Sequence, residues 1–208
     1  MNKQGNDSFL KNASETNRLE SFSDGVFGVA ITLLALEIVI PPNKSMTDGG
    51  LIKEILALWP KYFAYLNSFV TVLLMWIAHH TLFKMIKYVS VPLFIANGFL
   101  MFLAVLTPFP TRILGDYINT SAFRTAAVFY TAFFVLVSIA FTVLWFVVKG
   151  KKALLHAHIT EQEIKKQTQI EFIGLSCNIG ITVLTFFNPW VGLILNTGMW
   201  IYWLVNIK

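Results

Sequence analysis

The chain has 208 residues, of which 56% are hydrophobic and only 13% are charged. Soluble globular proteins carry roughly 25% charged residues, so this composition excludes an ordinary soluble domain and indicates a membrane protein. The formal net charge is +5. The lysine and arginine residues lie in short segments between apolar runs, a pattern typical of membrane topology and not of nucleic-acid binding.

A polar segment precedes the first apolar run. We interpret residues 1–19 as a cytoplasmic N-terminal tail and residues 20–208 as a single transmembrane domain. The first apolar run is too long for the apolar core of a signal peptide, and no A-x-A-like cleavage site ends it. The single cysteine, Cys177, lies in an apolar run and is interpreted as a core residue, so no disulfide forms within the chain.

Six apolar runs are each long enough to cross a bilayer as a helix, which takes about 20 residues. The sequence therefore predicts an all-α membrane protein with six transmembrane helices. Pro41-Pro42 ends the first run, Asn188-Pro189 predicts a tight turn before the last, and "LTPFPTRIL" predicts a kink or terminating turn. The approximate limits of the six apolar runs are 20–40, 58–83, 92–113, 123–148, 169–187 and 189–207.

The connections between these runs predict their orientation. With six crossings both termini lie on one side, and that side holds 11 of the 16 lysine and arginine residues, against 5 on the other. The positive-inside rule therefore predicts a multi-pass protein of the cell membrane with both termini in the cytoplasm. "NKSMTDGG" after the first run is a loop by composition. The polar connection 149–168 is interpreted as a solvated loop or a short helical extension of its neighbours.

The first run, "RLESFSDGVFGVAITLLALEIVIPP", carries polar residues where the membrane span begins. A carboxylate such as Asp24 costs about 3 kcal/mol at mid-span and less near an end, so it either caps the helix or finds a partner. Trp76 and the adjacent His79 and His80 in the second run lie at the same predicted depth as Asp24, and Asn97 in the third run is a further candidate partner. We interpret these residues as a polar clamp between helices.

The histidine pair does not predict a structural metal site. Adjacent residues on a helix point about 100° apart, whereas two ligands on one face need a spacing of four residues.

Beyond Asp24 the first run carries an apolar stripe at helical spacing. The stripe consists of Val29, Leu33 and Leu36, extended by Val26 and Ile40, with Thr32 beside it. Ordinary packing in a helix bundle is the alternative reading of this stripe. Glu37 follows near the opposite end of the run. If several copies of this helix met around an axis, Glu37 would form a ring of carboxylates that attracts cations; in a monomer it would be an interfacial carboxylate.

Several short motifs resemble the transmembrane protein 175 family, the endosomal and lysosomal potassium channels and their bacterial relatives. These motifs are Arg18-x-x-x-Phe22-Ser23-Asp24, "GVFGVAITLLALEI", Trp76-x-x-His79-His80 and "LTPFPT". The animal members contain two six-helix repeats, so a chain with one repeat resembles the bacterial homotetramers.

The resemblance implies a potassium channel with a modest preference for K⁺ over Na⁺, in which the first helix of each subunit lines a central pore. It implies a hydrophobic constriction at Val29, Leu33 and Leu36, a selectivity role for Thr32, and K⁺ in the pore as the permeant ion without a cofactor. The partners it implies are three further copies of the chain, the lipid bilayer and monovalent cations. The network that it implies for anchoring the pore helix comprises Arg18, Phe22, Ser23, Asp24, Trp76, His79, His80 and Asn97.

Two other function classes fit parts of the sequence. A proton-coupled secondary transporter could relay protons through Asp24 and His79 or His80, but we find no inverted repeat or broken mid-span helix. An intramembrane hydrolase would need Ser23 and Asp24 to converge, whereas adjacent helical positions diverge by about 100°. We therefore expect the chain not to be an enzyme.

Overall fold

The computed structural model describes residues 13–40 and 47–206 of the chain. This part folds into eight α-helices and one short 3₁₀ helix. The α-helices are α1 (Ala13–Ala35), α2 (Asp48–Ala57), α3 (Trp59–Phe83), α4 (Val91–Leu106), α5 (Pro108–Tyr117), α6 (Phe123–Lys149), α7 (Glu161–Phe187) and α8 (Pro189–Asn206).

Four helical stretches within the described residues are long and apolar enough to cross a membrane. They are Trp59–Phe83, Val91–Tyr117, Phe123–Lys149 and Glu161–Phe187, and they correspond to the second to fifth predicted spans. The helices at the first and last predicted spans are long enough, but their composition is less apolar than this standard requires. The first half of α1 carries several charged residues, and polar Asn196 and Thr197 lie near the middle of α8.

Helix α1 differs from the first predicted span at both ends. It begins at Ala13, so residues 13–19 belong to the helix and not to a separate tail, while residues 1–12 lie outside the described part of the chain. It ends at Ala35 and not at residue 40. The last backbone N–H groups donate to carbonyls three residues back instead of four, as in the bond from Leu36 N to Leu33 O at 3.1 Å. The β-branched run Ile38-Val39-Ile40 and the proline after it disfavour helical backbone, which explains the early end.

The connection after α1 contains a helix that the composition did not predict. Thr47 caps α2, since its Oγ1 accepts a hydrogen bond from the Gly50 amide at 3.2 Å. The side chains of α2 are not buried. The two glycines in "TDGG" favoured a loop, but a threonine cap followed by an acidic first residue is enough to start a helix there.

The proline-rich segment of the third predicted span divides it into two helices, as predicted. Helix α4 ends at Leu106 and α5 begins at Pro108, where the missing N–H costs little. Helix α5 packs against α3 and α6. The buried hydroxyl of Ser68 on α3 lies 2.6 Å from Thr111 Oγ1 on α5 and 3.0 Å from Tyr130 Oη on α6. These bonds satisfy polar groups in the middle of the core.

Helix α6 forms the centre of the subunit, because it packs against α4, α5, α7 and α8. Its buried residues include Tyr130, Leu144 and Trp145. The Trp145 indole donates to Thr168 Oγ1 on α7 at 2.9 Å, so the largest core side chain is also fixed by a hydrogen bond. The peripheral helices are positioned around this central element.

Helix α7 begins eight residues before the fifth predicted span, at Glu161. Thr160 accepts a hydrogen bond from the Glu163 amide, and the Glu163 carboxylate accepts one from the Thr160 amide in return. This capping box satisfies two backbone N–H groups outside the apolar run. The predicted tight turn before α8 is present: Asn188 Oδ1 accepts hydrogen bonds from the Trp190 and Val191 amides at 3.1 and 3.3 Å.

Candidate functional site

The middle of α1 is held against α4 by a buried hydrogen-bond chain. Ser23 faces the interior, and its hydroxyl donates to the Leu19 carbonyl at 2.9 Å. The same oxygen accepts a hydrogen bond from Asn97 Nδ2 of α4 at 3.0 Å. The serine thus uses its donor within its own helix and its acceptor between helices, which leaves the buried hydroxyl fully satisfied.

Asn97 continues this chain to α3. Its Oδ1 accepts a hydrogen bond from His79 Nε2 at 2.8 Å, and both side chains are completely buried. The imidazole stacks on Phe83 with ring centroids 4.1 Å apart and meets the edge of Phe27 of α1 at 5.5 Å. Asn97 therefore joins α1, α3 and α4 through one amide group.

A second set of contacts joins α1 to α3 nearer the surface. The Trp76 indole donates to Asp24 Oδ1 at 2.8 Å, and His80 Nδ1 donates to Glu20 Oε1 at 2.7 Å. Glu20 and Asp24 are four residues apart on α1, and Trp76 and His80 have the same spacing on α3. Positions four apart lie on one face of a helix, so two antiparallel helices match both pairs at once. Trp76 and His80 also stack on each other.

Six of the eight residues predicted for the anchoring network come together in the structure: Ser23, Asp24, Trp76, His79, His80 and Asn97. The other two, Arg18 and Phe22, are exposed and line a surface groove beside α4.

Sequence reasoning did not assign three partners of this network, namely Glu20, Phe27 and Phe83. Glu20 could have been found from the matched spacing of four residues on both helices. The two phenylalanines carry no signal that separates them from the other 17 in the chain.

The opposite face of α1 is largely uncovered by the other described residues of the subunit. Val29 is 53% exposed, and Leu36, in the turn directly after the helix, is 68% exposed. Thr32 lies exposed between them, and its hydroxyl donates to the Val29 carbonyl. Val26 and Leu33 are half-buried at the side of this face. Ile40 is also half-buried, but it lies beyond the end of the helix and therefore does not continue the helical stripe.

Glu37 lies next to a basic residue of α5 that belongs to a small group of charged side chains. Its Oε2 is 3.7 Å from Arg112 Nε on α5, and Arg112 Nε is 3.5 Å from Asp116 Oδ2. Lys61 of α3 completes the group at 3.0 Å from Asp116 Oδ1. The carboxylate predicted for a pore mouth is thus partly neutralised within its own subunit.

Metal ligands do not cluster in the part of the chain that the structure describes. Within residues 13–40 and 47–206 no group of three or more His, Cys, Asp or Glu side chains is arranged to hold an ion. His79 and His80 instead point to different partners, Asn97 and Glu20.

The segment that contains this network matches a known family. The sequence profile described as "Endosomal/lysosomal potassium channel TMEM175" matches residues 18–108, from α1 to the start of α5. A potassium channel of Chamaesiphon minutus is 37% identical over 178 residues, which cover 86% of this chain and 88% of that protein. The chain belongs to the TMEM175 family.

The similarity to TMEM175 proteins extends over the whole fold. A potassium channel of a Chryseobacterium strain is 31% identical over 195 residues, covering 92% of this chain and 93% of that protein. The crystal structure of a lysosomal potassium-selective channel TMEM175 homologue from Chamaesiphon minutus superposes with a TM-score of 0.84 at 34% identity. That match covers 94% of this chain and 99% of the other, so the shared architecture includes the helices on both sides of the network.

Proposed function

We propose that this TMEM175-family chain is a potassium-permeable cation channel of the cell membrane with a modest preference for K⁺ over Na⁺. Its relatives in Chamaesiphon minutus and Chryseobacterium are named potassium channels and resemble it along nearly their full length. In this proposal four copies form a homotetramer with both termini in the cytoplasm, and α1 of each copy lines the central pore.

The two-sided character of α1 is the observation that carries this proposal. One face, with Leu19, Ser23 and Phe27, is buried against α3 and α4. The other face exposes Val29 and Leu36 and includes Thr32, without charged side chains in that stretch. A helix that is fixed on one side and apolar on the other suits a pore wall, and closed cyclic symmetry completes the wall without leaving an open face.

In the proposed pore, side chains of α1 form a hydrophobic constriction instead of a carbonyl filter. Rings of Val29, Leu33 and Leu36 would exclude water from the narrow part and so oppose ion passage by dewetting. Thr32 faces the same space, and its hydroxyl oxygen, which donates to Val29, keeps lone pairs that can contact a cation. Glu37 would attract cations at the pore mouth, and the nearby positive charge of Arg112 would weaken that attraction.

The buried network supports the proposal by giving α1 a rigid attachment. Contacts to α3 and α4 fix the middle of the helix around Ser23 and Asp24, while the constriction residues lie about two to four turns further on. Arg18 and Phe22 face away from this attachment, so we propose that they contact the adjacent subunit and not their own.

A proton-coupled transporter that uses Asp24 and the histidine pair is less well supported. Asp24 bonds to Trp76, and His79 is enclosed by Asn97, Phe27 and Phe83. No chain of titratable groups connects Asp24 to His79 among the bonds of the described residues.

Ion flux into liposomes that contain the purified tetramer tests the channel proposal. Under a K⁺ gradient we expect passive flux, with weaker flux under an equal Na⁺ gradient. Leu33→Ala and Leu36→Ala widen the constriction and are expected to raise K⁺ flux several-fold. Leu136→Ala removes an exposed leucine from α6 and serves as the matched control, with flux unchanged.

The outcomes separate the competing functions. Equal flux in all three variants would show that the exposed face of α1 does not form the constriction. Saturable uptake that requires a proton gradient would replace the channel by the transporter. Absence of flux for both ions in every variant, with the tetramer verified by mass, would reject the channel itself.

A further inference from the structure

A groove runs between the end of α6 and the first turns of α7. It has a volume of about 600 Å³, which is within the range of about 300–1,000 Å³ for ordinary ligand sites. Seven of its eight lining residues belong to α7, and they follow the i, i+3, i+4 spacing of one helix face from Glu161 to Ile173. The eighth is Lys149, in the last turn of α6.

The character of this face changes along α7 from charged to apolar. Lys165 lies near its charged end, and the polar side chains of Thr168 and Gln169 follow. Phe172 and Ile173 come one turn later, and both are exposed. The apolar run predicted to cross the membrane begins at residue 169, so the charged end of the face lies at the bilayer surface and the apolar end lies in the hydrocarbon.

Lys149 is held at the groove by contacts within its own subunit. Its Nζ donates to Thr168 Oγ1 at 3.2 Å and lies 5.4 Å from the centre of the Phe146 ring. Thr168 Oγ1 also accepts a hydrogen bond from Trp145, so the hydroxyl that positions the ammonium group is itself fixed. Because an ammonium group has three N–H donors, two of them remain for another acceptor.

The positive charge of the groove is not neutralised by nearby carboxylates. None of the ion pairs among the described residues includes Lys149 or Lys165. Glu161, the one acid that lines the groove, is paired with Lys152. Residues 149–168 carry five lysines and two glutamates, a net charge of +3 with the histidines neutral. The groove therefore places unpaired positive charge directly beside an exposed apolar surface.

We propose that this groove binds the headgroup of an anionic phospholipid, with the acyl chains along Phe172 and Ile173. The lipid phosphate accepts charge-assisted hydrogen bonds from Lys149 and Lys165. Basic pockets between transmembrane helices bind such headgroups on the cytoplasmic side, which is the predicted side of this groove. A soluble anion would leave the exposed apolar residues of the same face without a partner, so a lipid fits the groove better.

The groove lies on the side of the subunit away from the proposed pore. Helix α7 packs mainly against α6 and α8, whereas α1 packs mainly against α3, α4 and α5. With α1 at the centre of a tetramer, α7 faces the surrounding lipid. This placement rests on the proposed function, but lipid binding is measured without ion flux, so the two proposals can fail separately.

Native mass spectrometry of the purified protein, titrated in detergent with phosphatidylglycerol, tests the proposal by counting the bound lipids. We expect one tightly bound lipid per chain. Lys149→Gln and Lys165→Gln should each weaken binding about fivefold, and the double variant about 25-fold. Replacing both lysines by arginine keeps the charge and should retain binding.

Lys166→Gln is the matched control. Lys166 is exposed on the same turn of α7, but it points about 100° away from Lys165 and does not line the groove. Its substitution should leave binding unchanged. Lys165, whose side chain forms no hydrogen bond with the other described residues, decides the question if Lys149→Gln does not fold.

Several outcomes would overturn the proposal. Equal weakening in Lys166→Gln would assign the attraction to the general surface charge and not to the groove. Phosphatidylcholine bound as tightly as phosphatidylglycerol would show that the headgroup charge is not recognised. Displacement of the lipid by an equal concentration of glycerol 3-phosphate would assign the groove to a soluble phosphate. Lack of saturable lipid binding to the wild type would reject the site altogether.

Discussion

Replacing Asn97 by alanine removes the amide that joins three helices. The change deletes the acceptor of the His79 N–H and the donor to Ser23 Oγ, and all three side chains are completely buried. We expect Asn97→Ala to destabilise the fold, because it removes a hydrogen bond from each of two buried partners.

The expected magnitude follows from what each partner loses. A buried group left without a hydrogen-bond partner costs about 1–3 kcal/mol. Among the described residues, the imidazole of His79 has one hydrogen-bond partner, Asn97, and its Nδ1 has none, so the substitution removes that one bond. Ser23 loses one bond but still donates to Leu19, which adds about 1 kcal/mol at most. We therefore expect the free energy of unfolding to fall by about 2–4 kcal/mol.

The assay is equilibrium unfolding of the detergent-solubilised protein by increasing fractions of SDS, followed by tryptophan fluorescence. Asn119→Ala is the matched control, since Asn119 is exposed in the turn after α5, and it should change the free energy by less than about 0.5 kcal/mol. A double-mutant cycle with Ser23→Ala should give a coupling energy of about 1 kcal/mol between Ser23 and Asn97.

The reasoning would be refuted if Asn97→Ala were no more destabilising than the Asn119 control. It would also fail in part if the two single changes were additive, since Ser23 and Asn97 would then not share an energetically significant bond.

Three further changes test other parts of the structure. Gly192→Ala should destabilise the α7–α8 hairpin by about 3 kcal/mol in the same SDS assay. The reason is that the added methyl carbon would lie 2.8 Å from the Cα atom of Thr185 in α7. Gly198→Ala is the control, because the space around Gly198 is open. Thr160→Ala removes the cap of α7 and should cost about 1 kcal/mol, which thermal unfolding monitored by circular dichroism would detect; an unchanged midpoint would contradict the role of the cap. Arg112→Gln removes the positive charge next to the Glu37 carboxylate at the proposed pore mouth. We expect K⁺ flux to rise about twofold in 10 mM salt. In 1 M salt we expect no rise, because charges are screened within about 3 Å. An equal rise in Arg112→Gln combined with Glu37→Gln would show that the carboxylate is not responsible.

The sequence determined the helical elements wherever apolar length and turn residues acted together. The spans that became α3, α6 and α8 were predicted to within about two residues, and the breaks at Pro108 and Asn188 were predicted from the chemistry of proline and of helix caps. Boundaries were wrong where polar or β-branched residues decided them. Helix α7 begins at a capping box outside its apolar run, and α1 ends before the β-branched residues that the hydropathy had included.

The sequence also determined which residues of the candidate site required partners. Asp24, His79 and Asn97 are polar side chains within apolar runs, and the cost of burying them without partners predicts bonds between helices. Membrane depth alone then placed Trp76, His79 and His80 at the level of Asp24, and Asn97 was a further candidate partner.

Only the tertiary structure decided how these residues pair, because pairing depends on the rotation and relative height of each helix. A change of about 100° in the rotation of α3 exchanges the directions of His79 and His80, and hydropathy does not fix that angle. In the structure Asn97 bonds to His79, Glu20 bonds to His80 and Trp76 bonds to Asp24. Arg18 and Phe22 are exposed.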